Sequence, residues 1–114
     1  MEITTPQYRV WVDAQAATIC FEGVLGEGSQ SAYAPIEDLM RSVLGPGPAK
    51  ITVDVRKLSH ADEAGINALY KFAIAMRKRG GGSLVVLASK QHAWQGKTLP
   101  NLKSFNGNVE VQLS

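Results

Sequence analysis

The sequence has almost no cysteine, few aromatics and no sustained apolar run. A single cysteine, Cys20, in 114 residues excludes an internal disulfide and leaves no thiolate set for a structural metal. It stands between Ile19 and Phe21 in a stretch of strand character, where a thiol behaves as a small buried hydrophobe. No apolar stretch approaches the roughly 18 residues that a membrane-spanning helix needs. The opening residues, M-E-I-T-T-P-Q-Y, carry neither a basic segment nor an apolar signal core, so a cytoplasmic location without membrane insertion is expected. Charge of one sign is also lacking. Twelve Lys and Arg against 10 Asp and Glu leave a formal net charge of +2, too little to argue for nucleic acid.

The residues that do chemistry are equally sparse. His60 and His92, the two histidines, lie in different segments with no carboxylate at useful spacing. Asp62 and Glu63 are adjacent, so at a helix start they point in different directions rather than forming a catalytic pair. Lys78-Arg79-Gly80-Gly81-Gly82 places its glycines between a helix and a following strand, the reverse of a phosphate loop. The sequence therefore predicts no enzyme, no cofactor and no metal site.

What is present is an ordinary globular composition, 45% hydrophobic and 19% charged, enough for one domain across residues 1–114. The chain is organised around Lys50–Ala88. Ile51, Val53 and Val55 alternate with Thr52, Asp54 and Arg56, which is strand periodicity. A tight loop at Leu58 to Ala61 follows. Asp62 then stands where a helix begins, since its carboxylate can accept from a first-turn N–H. Ile66, Leu69, Tyr70, Ala73 and Met76 recur at helical spacing and predict one core-facing stripe. Arg77, Lys78 and Arg79 suit the carbonyl end of that helix as a solvated last turn, and Gly80, Gly81 and Gly82 end it. Leu84, Val85, Val86 and Leu87 form a short apolar run of the kind found in strands buried on both faces.

The flanks extend this βαβ unit. Tyr8–Asp13 and Ala17–Leu25 read as a hairpin around a turn at Ala14 to Ala16, with Trp11 on its less apolar face. Gly26, Glu27 and Gly28 form a flexible connector. Ile36, Leu39, Met40, Val43 and Leu44 predict a helix that starts either after a Ser29 or Ser31 cap or near Pro35. Gly45-Pro46-Gly47-Pro48 ends it. Between Ser89 and Lys103, Gly96 and Pro100 limit helix to at most two short turns, with Trp94, Leu99 and Leu102 available for packing. Asn106 and Gly107 make a turn before a last alternating strand, Val109, Val111 and Leu113. The expected fold is α/β: a mixed β-sheet of about five strands with helices packed mainly on one face.

The series V-D-V-R-K-L-S-H-A-D-E-A-G-I-N-A-L, then a helix and R-G-G-G-S-L-V-V-L, resembles the STAS domain of anti-sigma factor antagonists and sulphate-transporter tails. That family has a strand carrying an Asp, a turn, and D-S-S-G, D-S-T-G or D-[ST]-A-G opening a helix. Asp54 and Asp62 fall at the two Asp positions without a gap, and Gly65 falls at the motif glycine. The likeness covers Tyr8 to Leu87 well and the remainder loosely. The family's second strand usually ends in G-x-L-D, whereas here the run is Gly23, Val24, Leu25, Gly26.

The resemblance implies a protein-interaction module of the anti-sigma factor antagonist type, partnered by a serine kinase/anti-sigma factor or another regulatory protein. Family members that are switched by phosphate carry it on a hydroxyl in this motif. Here those positions hold Glu63 and Ala64, so phosphorylation of the motif is not expected. Glu63 could imitate a phosphate in sign, with less charge and planar geometry, or serve as a favourable first-turn acid. A partner surface is expected around Asp62, Glu63, Ala64, Asn67 and Gly26, with Asp54 and Gly65 as structural motif positions. Two alternatives stay open: an accessory subunit of an ABC-type lipid transporter, and a small-ligand or anion binder at the helix start.

Overall fold

The computed structural model describes residues 2–26, 28–45, 48–80 and 82–114. Glu27 of the first connector, Pro46 and Gly47 of the helix-ending turn, and Gly81 of the glycine run lie outside the described residues. Six strands form one mixed sheet in sequential order: β1 (Glu2–Thr4), β2 (Tyr8–Asp13), β3 (Thr18–Leu25), β4 (Lys50–Ala61), β5 (Ser83–Ala88) and β6 (Val109–Leu113). The first three are antiparallel neighbours, and β3 through β6 run parallel. The sheet has one strand more than the sequence predicts. The addition, β1, lies in M-E-I-T-T, a segment too short for alternation to register, and Ile3 opposite Val10 holds it there.

Parallel neighbours need crossovers, and three supply them: α1 (Ala34–Leu44) between β3 and β4, α2 (Glu63–Lys78) between β4 and β5, and α3 (Ala93–Thr98) with a 3-10 segment (Leu99–Ser104) between β5 and β6. Because the strand order is sequential, right-handed crossovers place all three on one face of the sheet. Burial follows from this. Val10, Ile19, Phe21, Ile51, Val53, Val55, Leu84, Val86 and Val109 face the helices and are buried, while Trp11, Cys20, Thr52, Asp54 and Leu87 are only half-buried.

Helix α2 buries more than the single stripe expected of it. Ala64, Gly65, Ala68, Leu69, Phe72, Ala73 and Met76 are inside, whereas Ile66 and Tyr70 are half-buried. The helix packs on the sheet and also against α1, so a second row, Ala68 and Phe72, turns toward Met40 of α1 in the groove between them. Tyr70 stacks on Phe105, with ring centroids 4.8 Å apart, and joins α2 to the C-terminal segment. Arg79 differs from the solvated cation expected. Its guanidinium donates to the carbonyl oxygens of Leu44 (3.0 Å) and Pro48 (2.8 Å), tying the end of α1 to the end of α2. The turn into β5 uses Gly82 at φ +93°, where an added Cβ would come within 2.3 Å of the Ala49 carbonyl oxygen.

The last crossover consists of two short helical pieces, with Gly96 inside α3 and Pro100 at the start of the 3-10 segment. Leu99 and Leu102 are buried. Strand β4 continues to Ala61, through the residues expected to form a tight loop. Its pairing with β5 stops at Asp54, so its later carbonyls need other donors. Fully buried Gln95 donates Nε2 to the carbonyls of Val55 (2.6 Å) and Leu58 (2.9 Å) and accepts at Oε1 from the Ser89 N–H (2.8 Å). Trp94 Nε1 adds a bond to Leu58 O at 3.2 Å. Side chains of α3 thus stand in for a missing strand.

Leu69, 4% exposed on the sheet-facing side of α2, measures this packing. Leu69→Ala is expected to cost about 2–5 kcal/mol in chemical denaturation. A loss below about 0.5 kcal/mol would be that of a surface residue and would contradict the placement of α2.

Candidate functional site

Strand β4 delivers Asp62 to the first turn of α2. With φ −75° and ψ 178°, Asp62 is extended and serves as the N-cap: Oδ1 accepts from the Gly65 N–H at 2.8 Å. Its backbone carbonyl accepts from the Ile66 N–H at 2.9 Å, and its own N–H donates to the Leu25 carbonyl at 2.8 Å. The other carboxylate oxygen, Oδ2, accepts from the Gly28 N–H at 2.7 Å and from the Tyr33 hydroxyl at 3.0 Å. The side chain therefore binds the connector after β3, the segment before α1 and the start of α2, while the backbone N–H of the same residue binds the end of β3. Burial raises the Asp62 pKa, but the hydrogen bonds from Gly65, Gly28 and Tyr33, with His60 nearby, outweigh it and hold the carboxyl below its ordinary value.

Gly65 has a steric reason to be there. A Cβ at this position would lie 3.0 Å from Leu25 Cδ1 and 3.1 Å from Leu25 Cβ, so α2 sits against β3 closely enough to exclude a side chain without adjustment. Tyr33, fully buried, ends a 3-10 turn (Ser31–Tyr33) and meets Tyr8 edge-on at 6.2 Å between centroids. At the start of this turn Ser29 Oγ accepts from the Ala32 N–H at 3.1 Å, and α1 begins immediately after it with Pro35 in its first turn.

The residues singled out from sequence separate into three groups. Glu63 and Gly26 are exposed and Asn67 is half-buried beside the cap. Ala64 is 8% exposed and belongs to the hydrophobic core. Its position one residue into α2 turns it toward the packed side. Asp54 is not brought to Asp62. It lies earlier in β4 on the sheet face without helices, paired with Cys20 and Leu87 in register. There Arg56 grips it, with Nη2 to Oδ2 at 2.8 Å and Nε to Oδ1 at 3.0 Å. Burial pushes the Asp54 carboxyl up, but the side-chain and backbone bonds from Arg56 outweigh this and leave it below the ordinary carboxylate value.

Around the cap, the ends of β3 and β4 add a surface that sequence reasoning gave only in outline. Val24 is opposite His60 in register, and both are exposed, Val24 to 38%. Ser59, also exposed, donates to the Gly23 carbonyl at 3.2 Å. Tyr33 and Gly28, which hold Asp62, had no motif to announce them: Tyr33 lies in a weakly patterned S-A-Y-A-P run, and its role depends on a contact across 29 residues of sequence. Among the described residues, no group of three or more His, Cys, Asp or Glu is arranged to hold a metal ion. No described helix is long and apolar enough to cross a membrane.

Because the Asp62 carboxyl is depressed when folded, its contribution is fully present above the unfolded-chain value of about 4 and is lost as pH falls through the folded value. Asp62→Asn is expected to lower stability at neutral pH by about 1–2 kcal/mol. It should also weaken the further decline below pH of about 4, where Asp54 continues to titrate in both proteins. Urea denaturation at neutral and acid pH tests this. An equal acid-induced decline in both proteins would contradict a charged, hydrogen-bonded Asp62.

No protein-family model matches the sequence, and no curated protein matches it. Solved structures do. The complex of diguanylate cyclase SiaD with its activator SiaC from Pseudomonas aeruginosa contains a chain that superposes with a TM-score of 0.72 at 16% identity, covering 100% of this chain and 99% of that one. SiaC of Pseudomonas aeruginosa matches at 0.71 and 16%, covering 100% and 98%. Apo-SiaC from the same organism matches at 0.69 and 12%, covering 98% of each chain. At this identity the likeness is one of fold, and it extends over the whole domain.

Proposed function

We propose that this chain is a non-catalytic regulatory module that docks on a protein partner through the start of α2 and the adjoining ends of β3 and β4. The observation that carries the reading is that Asp62 is occupied within the fold, while a mixed surface stands exposed around it. A carboxylate accepting three hydrogen bonds is poorly suited as a general base. It is well suited to hold Val24, Gly26, His60, Glu63 and Asn67 in one fixed arrangement. Such a surface offers an apolar side chain, an imidazole, an acid and an amide, which fits a protein face better than a small substrate.

The fold likeness to SiaC, named as the activator of a diguanylate cyclase in complex with it, supports regulation of a signalling enzyme through direct docking. The motif resemblance supports a STAS-type module whose partner is a serine kinase/anti-sigma factor. Both readings use the same mechanism, in which a rigid cap presents a face and the partner responds to occupancy. With Glu63 and Ala64 in place of hydroxyl residues, the motif has no acceptor for a phosphate switch, so control lies elsewhere than in this segment. The anion-binding alternative is opposed by electrostatics. Asp62 already accepts at the helix start, and Glu63 places a second carboxylate beside it.

Glu63 changes the charge of the surface without touching the core. Affinity capture with the tagged chain, identification of the bound protein by mass spectrometry, and titration of the purified pair provide the test. Glu63→Lys is expected to weaken that partner at least about fivefold while stability stays within about 1 kcal/mol. Unchanged affinity with the fold intact would move the docking face away from α2.

A further inference from the structure

The two edges of the sheet are built differently. At one edge β1 contributes only Glu2–Thr4, and its Glu2 is paired with Arg9 at 2.8 Å. A short, charged strand of this kind discourages further pairing. At the other edge β6 runs Val109–Leu113, carries one charged residue and no proline, and among the described residues pairs with β5 alone. The Leu84 N–H donates to the Asn108 carbonyl (3.1 Å) and the Ser114 N–H to the Ala88 carbonyl (3.2 Å). These bonds fix the phase of the ladder, so the N–H and C=O groups of Val111 and Leu113 point away from β5, toward a strand position beyond the sheet.

The side chains along this edge are also ordered. Val109, Val111 and Leu113 share the helix-covered face and go from buried through half-buried to exposed, with Leu113 at 37%. Leu113 and Val24 are the exposed large hydrophobic residues among the described ones. Glu110 and Gln112 occupy the other face, with Gln112 Nε2 donating to Glu110 Oε2 at 2.7 Å.

We infer that a second copy of this chain pairs antiparallel with β6 about a twofold axis at Val111, continuing the sheet across both copies. That register is self-complementary. Val111 meets its own copy, Val109 meets Leu113, and Glu110 meets Gln112, whose amide can donate to it. Apolar side chains face apolar ones on the covered side, and no carboxylate sits directly opposite another. The outward backbone groups of Val111 and Leu113 gain partners in the same step. This surface lies on the opposite edge of the parallel strands from the β3 side of the site, so self-pairing and docking of a partner are separable. One strand pair buries less than a standard interface, which places the dissociation constant at about 10 µM to 1 mM.

Sedimentation of the intact chain through that concentration range, together with NMR amide exchange, tests the inference. The average mass is expected to rise from monomer toward dimer, and exchange at Val111 and Leu113 to slow with concentration. Val111→Pro removes an outward N–H at a place where an edge strand tolerates proline, and Leu113→Lys puts a charge on the edge. Both variants should remain monomeric with unchanged circular dichroism; if Val111→Pro fails to fold, Leu113→Lys carries the comparison. A wild-type monomer at about 1 mM would overturn the inference, as would a dimer that Leu113→Lys leaves intact.

Discussion

The carboxylate of Asp62 is the point at which the local structures of this domain become one. Without it, α2 would begin with an unpaired first turn, the connector after β3 would lose its anchor at Gly28, and the buried Tyr33 hydroxyl would lose an acceptor. These segments are distant in sequence, so their association is costly in chain entropy, and one multidentate acceptor offsets part of that cost at a single place. Gly65 is the steric counterpart, since the bonds at Asp62 require α2 to lie against Leu25.

The architecture explains why these segments share one surface. Parallel strands β3 and β4 end at the same side of the sheet, and α2 starts there, so strand ends, connector and helix start form one face. Most apolar surface is already covered by helices on the other strands, and what stays exposed near the cap is small and mixed in character. Gln95 and Trp94 make the far side of β4 firm by satisfying carbonyls that no strand reaches. The surface around the cap is therefore one whose ordering cost has been met during folding.

The central βαβ unit was legible because its signals are local. Alternation in I-T-V-D-V-R, the cap at Asp62 and the glycines after Arg79 each act within a few residues, and the structure places strand, cap and helix accordingly. The orientation of α2 was less legible, since periodicity identifies an apolar side but not the presence of a second neighbour. Phe72 and Ala68 are buried because α1 lies beside them. The same limit applies to Ala64, whose small side chain is equally suited to a surface and to a tight contact. Tyr33 and Gln95 were invisible for a different reason: each is a polar side chain whose value comes from a partner far along the chain. Asp54 illustrates the converse, as a motif residue whose structural partner, Arg56, is two residues away and whose site is separate from the cap.

The central claim is that Asp62 couples the Tyr33 segment to the start of α2, and a double-mutant cycle reads this coupling without requiring a partner. Stabilities of the wild-type chain, Tyr33→Phe, Asp62→Asn and the double variant are measured by urea denaturation at neutral pH. The hydrogen bond at 3.0 Å predicts a coupling energy of about 1 kcal/mol or more, with the double variant losing less than the sum of the single ones. Additive losses, within about 0.3 kcal/mol, would mean that the two side chains act independently and would contradict the account.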